Sequence, residues 1–210
     1  ETPSTTSRAA GRYAETKSTA TIASPESQTA MPVHRPTTAT TSDVQEIDVG
    51  GTSVRVLFLG RAHTGGDLMV HLPREKILFM SEAYLNRVFP AMRSAYPTEW
   101  VQTLDRALAM DVQRFVPGHG FIEAPAASRE ELVAFRTALV AVIAEVNRLH
   151  ALGLTAADAT PKGNWGMYAD WFIADQQAPV AVRRVYEEIE GRLDPPWPRR
   201  APPGAPGMRD

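Results

Sequence analysis

Hydrophobic positions in this chain follow two periods, and the switch between them marks out the elements. From Val44 to Val49 apolar and polar residues alternate, Gly50-Gly51 follows, and Ser53 to Leu59 alternates before becoming continuously apolar. Side chains of a strand point to opposite faces in turn, and glycine accepts the positive φ of a tight turn, so this pattern predicts a β-hairpin. A second hairpin is predicted from Asp67 to Leu72 and Lys76 to Met80 across Pro73-Arg74-Glu75, giving a four-stranded, largely antiparallel sheet. His71, on that hairpin with Met69, is expected to face away from the core. The spacing then changes to three and four. Thr98 is a candidate cap for a helix to about Met110 that buries Trp100, Val101, Leu104 and Leu108, leading into a short strand at Arg114 to Val116. Ser128 with Glu131 reads as a capping box for a long helix over 128–151, its apolar stripe running from Leu132 through Phe135, Leu139, Val142 and Val146 to Leu149, with Gly153 ending it. A last helix is expected from Pro179 to Leu193, with proline near its start.

These elements divide the 210 residues into four stretches. Residues 1–42 include 17 Ser or Thr and little apolar sequence beyond Ala20 to Ala23, so they are expected to be mostly poorly ordered, with a short strand near Thr21. The sheet and long helix occupy 43–153. A helical extension covers 154–193, where Trp165, Tyr168, Trp171 and Phe172 are expected to pack the core or a subunit interface. Residues 194–210, rich in Pro, Gly and Arg, read as a disordered tail.

Charge and composition remove several functions. A net charge of -2 offers no broad basic face, which argues against nucleic acid or an anionic membrane as partner and leaves a small-molecule substrate. No cysteine is present, so thiolate zinc sites, disulfides and cysteine nucleophiles are excluded, while histidine and carboxylate sites are not. No apolar run reaches transmembrane length. The compartment is not legible.

Chemistry concentrates in two turns. Gly60-Arg61-Ala62-His63-Thr64-Gly65-Gly66-Asp67 and Val116-Pro117-Gly118-His119-Gly120 each place a histidine in a Gly-rich turn directly after an apolar run, so both rings are expected to project from strand ends, where α/β proteins assemble sites. Neutral imidazole is the commonest metal ligand, so His63 and His119 are candidate ligands, with Thr64 and Asp67 orienting His63 from behind. Glu82, after the last strand of the second hairpin, is a carboxylate able to bridge two cations. Tyr84, Asn86 and Arg87 lie in the loop that follows and are candidate substrate contacts.

The order of these words resembles the metallo-β-lactamase superfamily over roughly residues 10–150. His63-Thr64-Gly65-Gly66-Asp67, Leu72-Pro73-Arg74-Glu75-Lys76-Ile77-Leu78-Phe79, Ser81-Glu82, Glu99-Trp100-Val101-Gln102-Thr103-Leu104 and Val116-Pro117-Gly118-His119-Gly120 follow the family's order. The resemblance implies an α/β fold: an incomplete αββα sandwich, mostly antiparallel sheet flanked by helices, from the carboxy-terminal half of the family domain. It implies metal-dependent hydrolysis with two zinc ions, His63 on the first, His119 on the second, and Glu82 where the family carries a bridging aspartate. The family's main motif, His-x-His-x-Asp-His, belongs just before Gly11, where Pro3 to Arg8 supply no ligand. A catalytic zinc ordinarily keeps three protein ligands and a water, so this chain alone is expected to bind zinc weakly or not at all and to have little or no activity. No catalytic residue is assigned beyond the metal ligands. Upstream truncation, a reading-frame error near residue 10, or genuine degeneration into a metal-free binding scaffold would each leave this pattern. A half-sandwich is also expected to expose an apolar sheet face and to self-associate.

Overall fold

The computed structural model describes residues 43–195; the expectations for residues 1–42 and 196–210 lie outside the described residues. Five strands form one sheet in the order β1 (Val44–Val49), β2 (Thr52–Leu57), β3 (Met69–Leu72), β4 (Ile77–Phe79) and β5 (Arg114–Val116). Strands β1 to β4 are antiparallel neighbours, and β5 adds parallel to β4. The parallel step requires a crossover, which α1 (Pro97–Leu108) provides. Helices α2 (Pro125–Ala151), α3 (Ala156–Ala159) and α4 (Ala174–Ile189) complete the order. The α/β class and the mostly antiparallel sheet with flanking helices are as the sequence predicted.

Strand alternation divides the sheet into two unlike faces. Leu57, Met69, Leu78 and Phe115 point into the core with Trp100, Phe135 and the apolar stripe of α2. Val56, Val70, Phe79 and Val116 pair across four strands and point the other way, with Ile47, Val54, Leu72 and Ile77 beside them. None of these eight belongs to the core cluster. Phe79 is 41% exposed and Ile47 43%. The central strands are therefore apolar on both faces, the pattern of a sheet meant to be covered twice.

Several local predictions are corrected. Thr98 is not the cap of α1: the helix starts with Pro97 at its first position, and Thr98 instead bonds through Oγ1 to the Glu188 carboxylate at 2.9 Å. Ser128 does not open α2, which begins at Pro125; it is buried in the first turn, accepting from the Phe115 amide at 3.2 Å and so tying the helix to β5. Proline at the first helical position costs no hydrogen bond, which accounts for both starts. Helix α4 begins at Ala174, five residues before Pro179, because Ile173 takes a left-handed φ of 56° where the chain leaves its bridge to Val88 at Phe172. Asp194 and Pro195, assigned to the tail, are tethered: both carbonyls accept from Arg61 Nη1 at 3.0 Å. Of the aromatic group, Trp171 is buried and Trp165 packs edge-on against Phe89 at 5.7 Å, whereas Phe172 is exposed. No described helix is long and apolar enough to cross a membrane.

His71 shares its face with Met69, two residues away, and is buried; its expected outward orientation is wrong, because positions two apart on a strand point the same way. Its Nε2 has no hydrogen-bond partner among the described residues. Burial first, and the Arg55 charge second, hold its pKa below the ordinary histidine value. Proton uptake is then weaker in the folded chain than in the unfolded one. Stability is present above about pH 6.5 and is lost as pH falls through that value to the depressed one. Urea unfolding between pH 7.5 and 5 should show a falling midpoint in the parent chain and a flatter profile in His71→Leu; parallel profiles would refute this role.

Candidate functional site

Strands β2, β4 and β5 run in one direction, so the segments leaving their carboxy-terminal ends emerge at one edge of the sheet. Those segments carry His63, Glu82 and His119. The loop after β4 opens with a single 3₁₀ turn, Ser81–Ala83, and then extends through Tyr84. It runs beside the loop after β5: Met80 donates to Val116 O, Gly118 to Tyr84 O and Asn86 to His119 O, each at 2.9 Å. This backbone zipper sets Glu82 against His119, with Oε1 3.0 Å from Nε2. The zipper also explains the glycines. A Cβ on Gly118 would lie 2.5 Å from Ser81 O, and one on Gly120, whose φ is +95°, would collide with Asn86 O.

Trp100 ties the third segment to these two. Its ring, fully buried in α1, meets the His63 imidazole edge-on at 5.8 Å, while its indole N–H donates to Ala83 O at 2.8 Å. The residue next to Glu82 and the His63 ring are thereby both in contact with one side chain. His63 Nδ1 is buried without a partner among the described residues. Thr64 and Asp67, expected to orient His63, are bonded to each other: the carboxylate accepts from the Thr64 amide at 2.7 Å and from its hydroxyl at 3.0 Å, which closes the loop.

Tyr84, Asn86 and Arg87, the expected substrate contacts, meet protein here. Tyr84 is buried against Phe135, and burial pushes its phenol far above the ordinary range. Buried Asn86 donates to Phe121 O at 2.9 Å and holds the segment after His119. Arg87 forms a two-bond pair with Glu131 at 2.7 and 2.6 Å, which pins the Tyr84–Arg87 segment to α2 and raises the guanidinium's already high pKa.

Arg61 carries no expectation from the sequence yet sits two residues before His63. It is buried, paired with Glu99 and stacked at 3.6 Å on the Tyr96 ring, and this hydrogen bonding to Glu99 is the main reason its pKa rises. An arginine inside the apolar stretch that enters the His63 turn was the available signal, since an unpaired charge would not be tolerated there.

Chemically, a carboxylate facing His119 Nε2 favours the tautomer with its proton on that nitrogen and leaves Nδ1 free to accept. For a metal the donor set falls short. Among the described residues no three His, Asp or Glu side chains group as ligands. Glu82 and His119 are joined, and His63 stands apart on Trp100. Two or three donors divided in this way do not fit a pair of zinc ions.

No protein-family profile matches the chain, and no curated protein does. Solved structures do. The stereoselective inverting sec-alkylsulfatase Pisa1 from Pseudomonas sp. superposes with a TM-score of 0.54 at 15% identity, covering 73% of this chain and 28% of that one. A double mutant of the same sulfatase gives 0.57 at 15% identity, covering 78% and 29%. A metallo-β-lactamase from Pontibacter korlensis overlaps less completely, with a TM-score of 0.41 at 21% identity over 47% of each chain. The described residues therefore share part of the fold of that sulfatase. The chain spans less than a third of the sulfatase's length.

The zipper makes a quantitative expectation. Gly120→Ala adds both a forbidden φ and a backbone collision and should cost about 3 kcal/mol, a fall in Tm of roughly 10 °C. Gly66→Ala, with open space around its Cβ position, should melt within 2 °C or so of the parent. Equal melting temperatures by circular dichroism would show that the loops are not packed as described.

Proposed function

We propose that this chain supplies one half of a metal-dependent hydrolase of the metallo-β-lactamase fold, and that its activity requires donors from outside residues 43–195. The observation that carries this reading is that the loops bearing His63, Glu82 and His119 all leave one edge of the sheet, where backbone bonds and Trp100 fix them and the Glu82 carboxylate meets His119. The superposition on an alkylsulfatase supports the scaffold, and hydrolysis by this chain is part of the proposal. A small molecule is the substrate class that fits the near-neutral charge. In this half the roles of its own residues are limited. Trp100 orients His63, Glu82 orients His119, and Arg61 with Glu99 stiffens the approach to the His63 turn.

A second reading, a metal-free binding scaffold, is favoured by the lack of any three-ligand group among the described residues. The two readings part on one experiment. The purified 210-residue chain, loaded with zinc and desalted, should retain less than about a tenth of an equivalent, and ester, lactam and sulfate-ester hydrolysis should match buffer. Adding a polypeptide that carries a His-x-His-x-Asp-His half should bring stoichiometric zinc and activity, both lost in His119→Ala. Zinc held tightly by the chain alone and dependent on His63 and His119 would overturn the half-site reading; failure of every complementary half would favour the scaffold.

A further inference from the structure

We propose that Ser81 is a positioning residue of the site edge: its left-handed backbone, and not its hydroxyl, turns Glu82 away from the core and onto His119. Side chains alternate along β4, and Leu78 and Met80 are both fully buried, with Met80 continuing the ladder by donating to Val116 O. An extended chain would therefore carry Glu82 to that same side, into the apolar core. A carboxylate there would be desolvated without a partner. Ser81 takes a φ of 50° and breaks the alternation. The Glu82 side chain is left 37% exposed, with Oε1 3.0 Å from His119 Nε2.

Left-handed backbone is costly for a residue with a Cβ, so it persists only where the surroundings fix it. At Ser81 those surroundings are specific. Before it, the Met80 amide is held by Val116; after it, the Tyr84 amide donates to Ser81 O at 3.4 Å. Gly118 leaves the room in which that carbonyl lies, since a Cβ there would come within 2.5 Å of it. The Ser81 side chain itself is exposed. Arg87, left-handed at 58° and also exposed, closes the segment, and Ala83 to Asn86 between the two are all buried. The residues that follow Glu82 are thus a buried run held between two left-handed ends. Lys76 is left-handed too, at 54°, but stands at the opposite end of β4. The inference deepens the half-site reading by naming what aims its carboxylate. Its readouts use neither zinc nor turnover, so they fail or succeed separately from that reading.

The test orders substitutions at position 81 by their tolerance of the left-handed region rather than by size or polarity. Glycine and asparagine enter that region readily, whereas valine, branched at Cβ, does not. In the full chain, the nuclear Overhauser contact between the Glu82 γ-protons and the His119 ring should survive in Ser81→Gly and Ser81→Asn. It should weaken about fivefold or more in Ser81→Val. Lys76→Val, which burdens an equally left-handed position away from the site, should lower Tm yet leave the contact at parent strength. Because valine puts the whole turn at risk, the parent chain supplies a check that needs no substitution. There Ser81 should show the short intraresidue distance between amide proton and Hα that marks a positive φ, together with the contact between Glu82 and His119. A contact that persists in Ser81→Val, that disappears in Ser81→Gly or Ser81→Asn, or that Lys76→Val removes equally would overturn the proposal, as would a negative φ at Ser81 in the parent.

Discussion

The indole of Trp100 joins parts of the molecule that are far apart in sequence. It lies on the buried side of α1, 0% exposed, between the Phe135 ring of α2 and the His63 ring of the loop after β2. Its single N–H reaches the carbonyl of Ala83, in the turn after β4. A buried indole that lost this acceptor, or a carbonyl that lost this donor, would cost about 1–3 kcal/mol, so the helix, the turn and the ring are fixed relative to one another. The backbone zipper between the β4 and β5 loops then carries that fixed position to His119. Remove the indole and the His63 ring loses its side-chain link to the turn that carries Glu82.

The larger elements were legible because they depend on local pattern. Alternation around Gly50-Gly51 and the three-and-four spacing from Leu132 to Leu149 survive into the structure, the latter wholly buried. The failures arise where a short-range rule met a long-range partner. Thr98 and Ser128 are good caps in isolation, but Glu188 takes one and β5 the other. The three donors were found by their setting at strand ends, and the resemblance gave them roles. The contact between Glu82 and His119 was out of reach, since it depends on β5 entering the sheet parallel to β4. Arg61 was passed over for the same reason: its partners, Glu99 and the 194–195 carbonyls, are 38 and 133–134 residues away.

Among the described residues the site edge brings together too few donors for a full ligand set, and the sheet carries a row of apolar residues outside the core cluster. The half-site reading proposed above accounts for both together, because missing donors and a second covering layer would arrive on the same complementary half.

The most direct measurement is residue-resolved amide hydrogen exchange on the parent chain and on a variant carrying 3-benzothienyl-alanine in place of Trp100, which keeps the bicyclic ring and replaces only the N–H by sulfur. The amides of Met80, Asn86 and Gly118 form the zipper. They should exchange at least about tenfold faster in the variant, while the β2–β3 ladder keeps its protection. Unchanged zipper amides, or a uniform acceleration across the whole sheet, would contradict the central claim that Trp100 holds the site edge together.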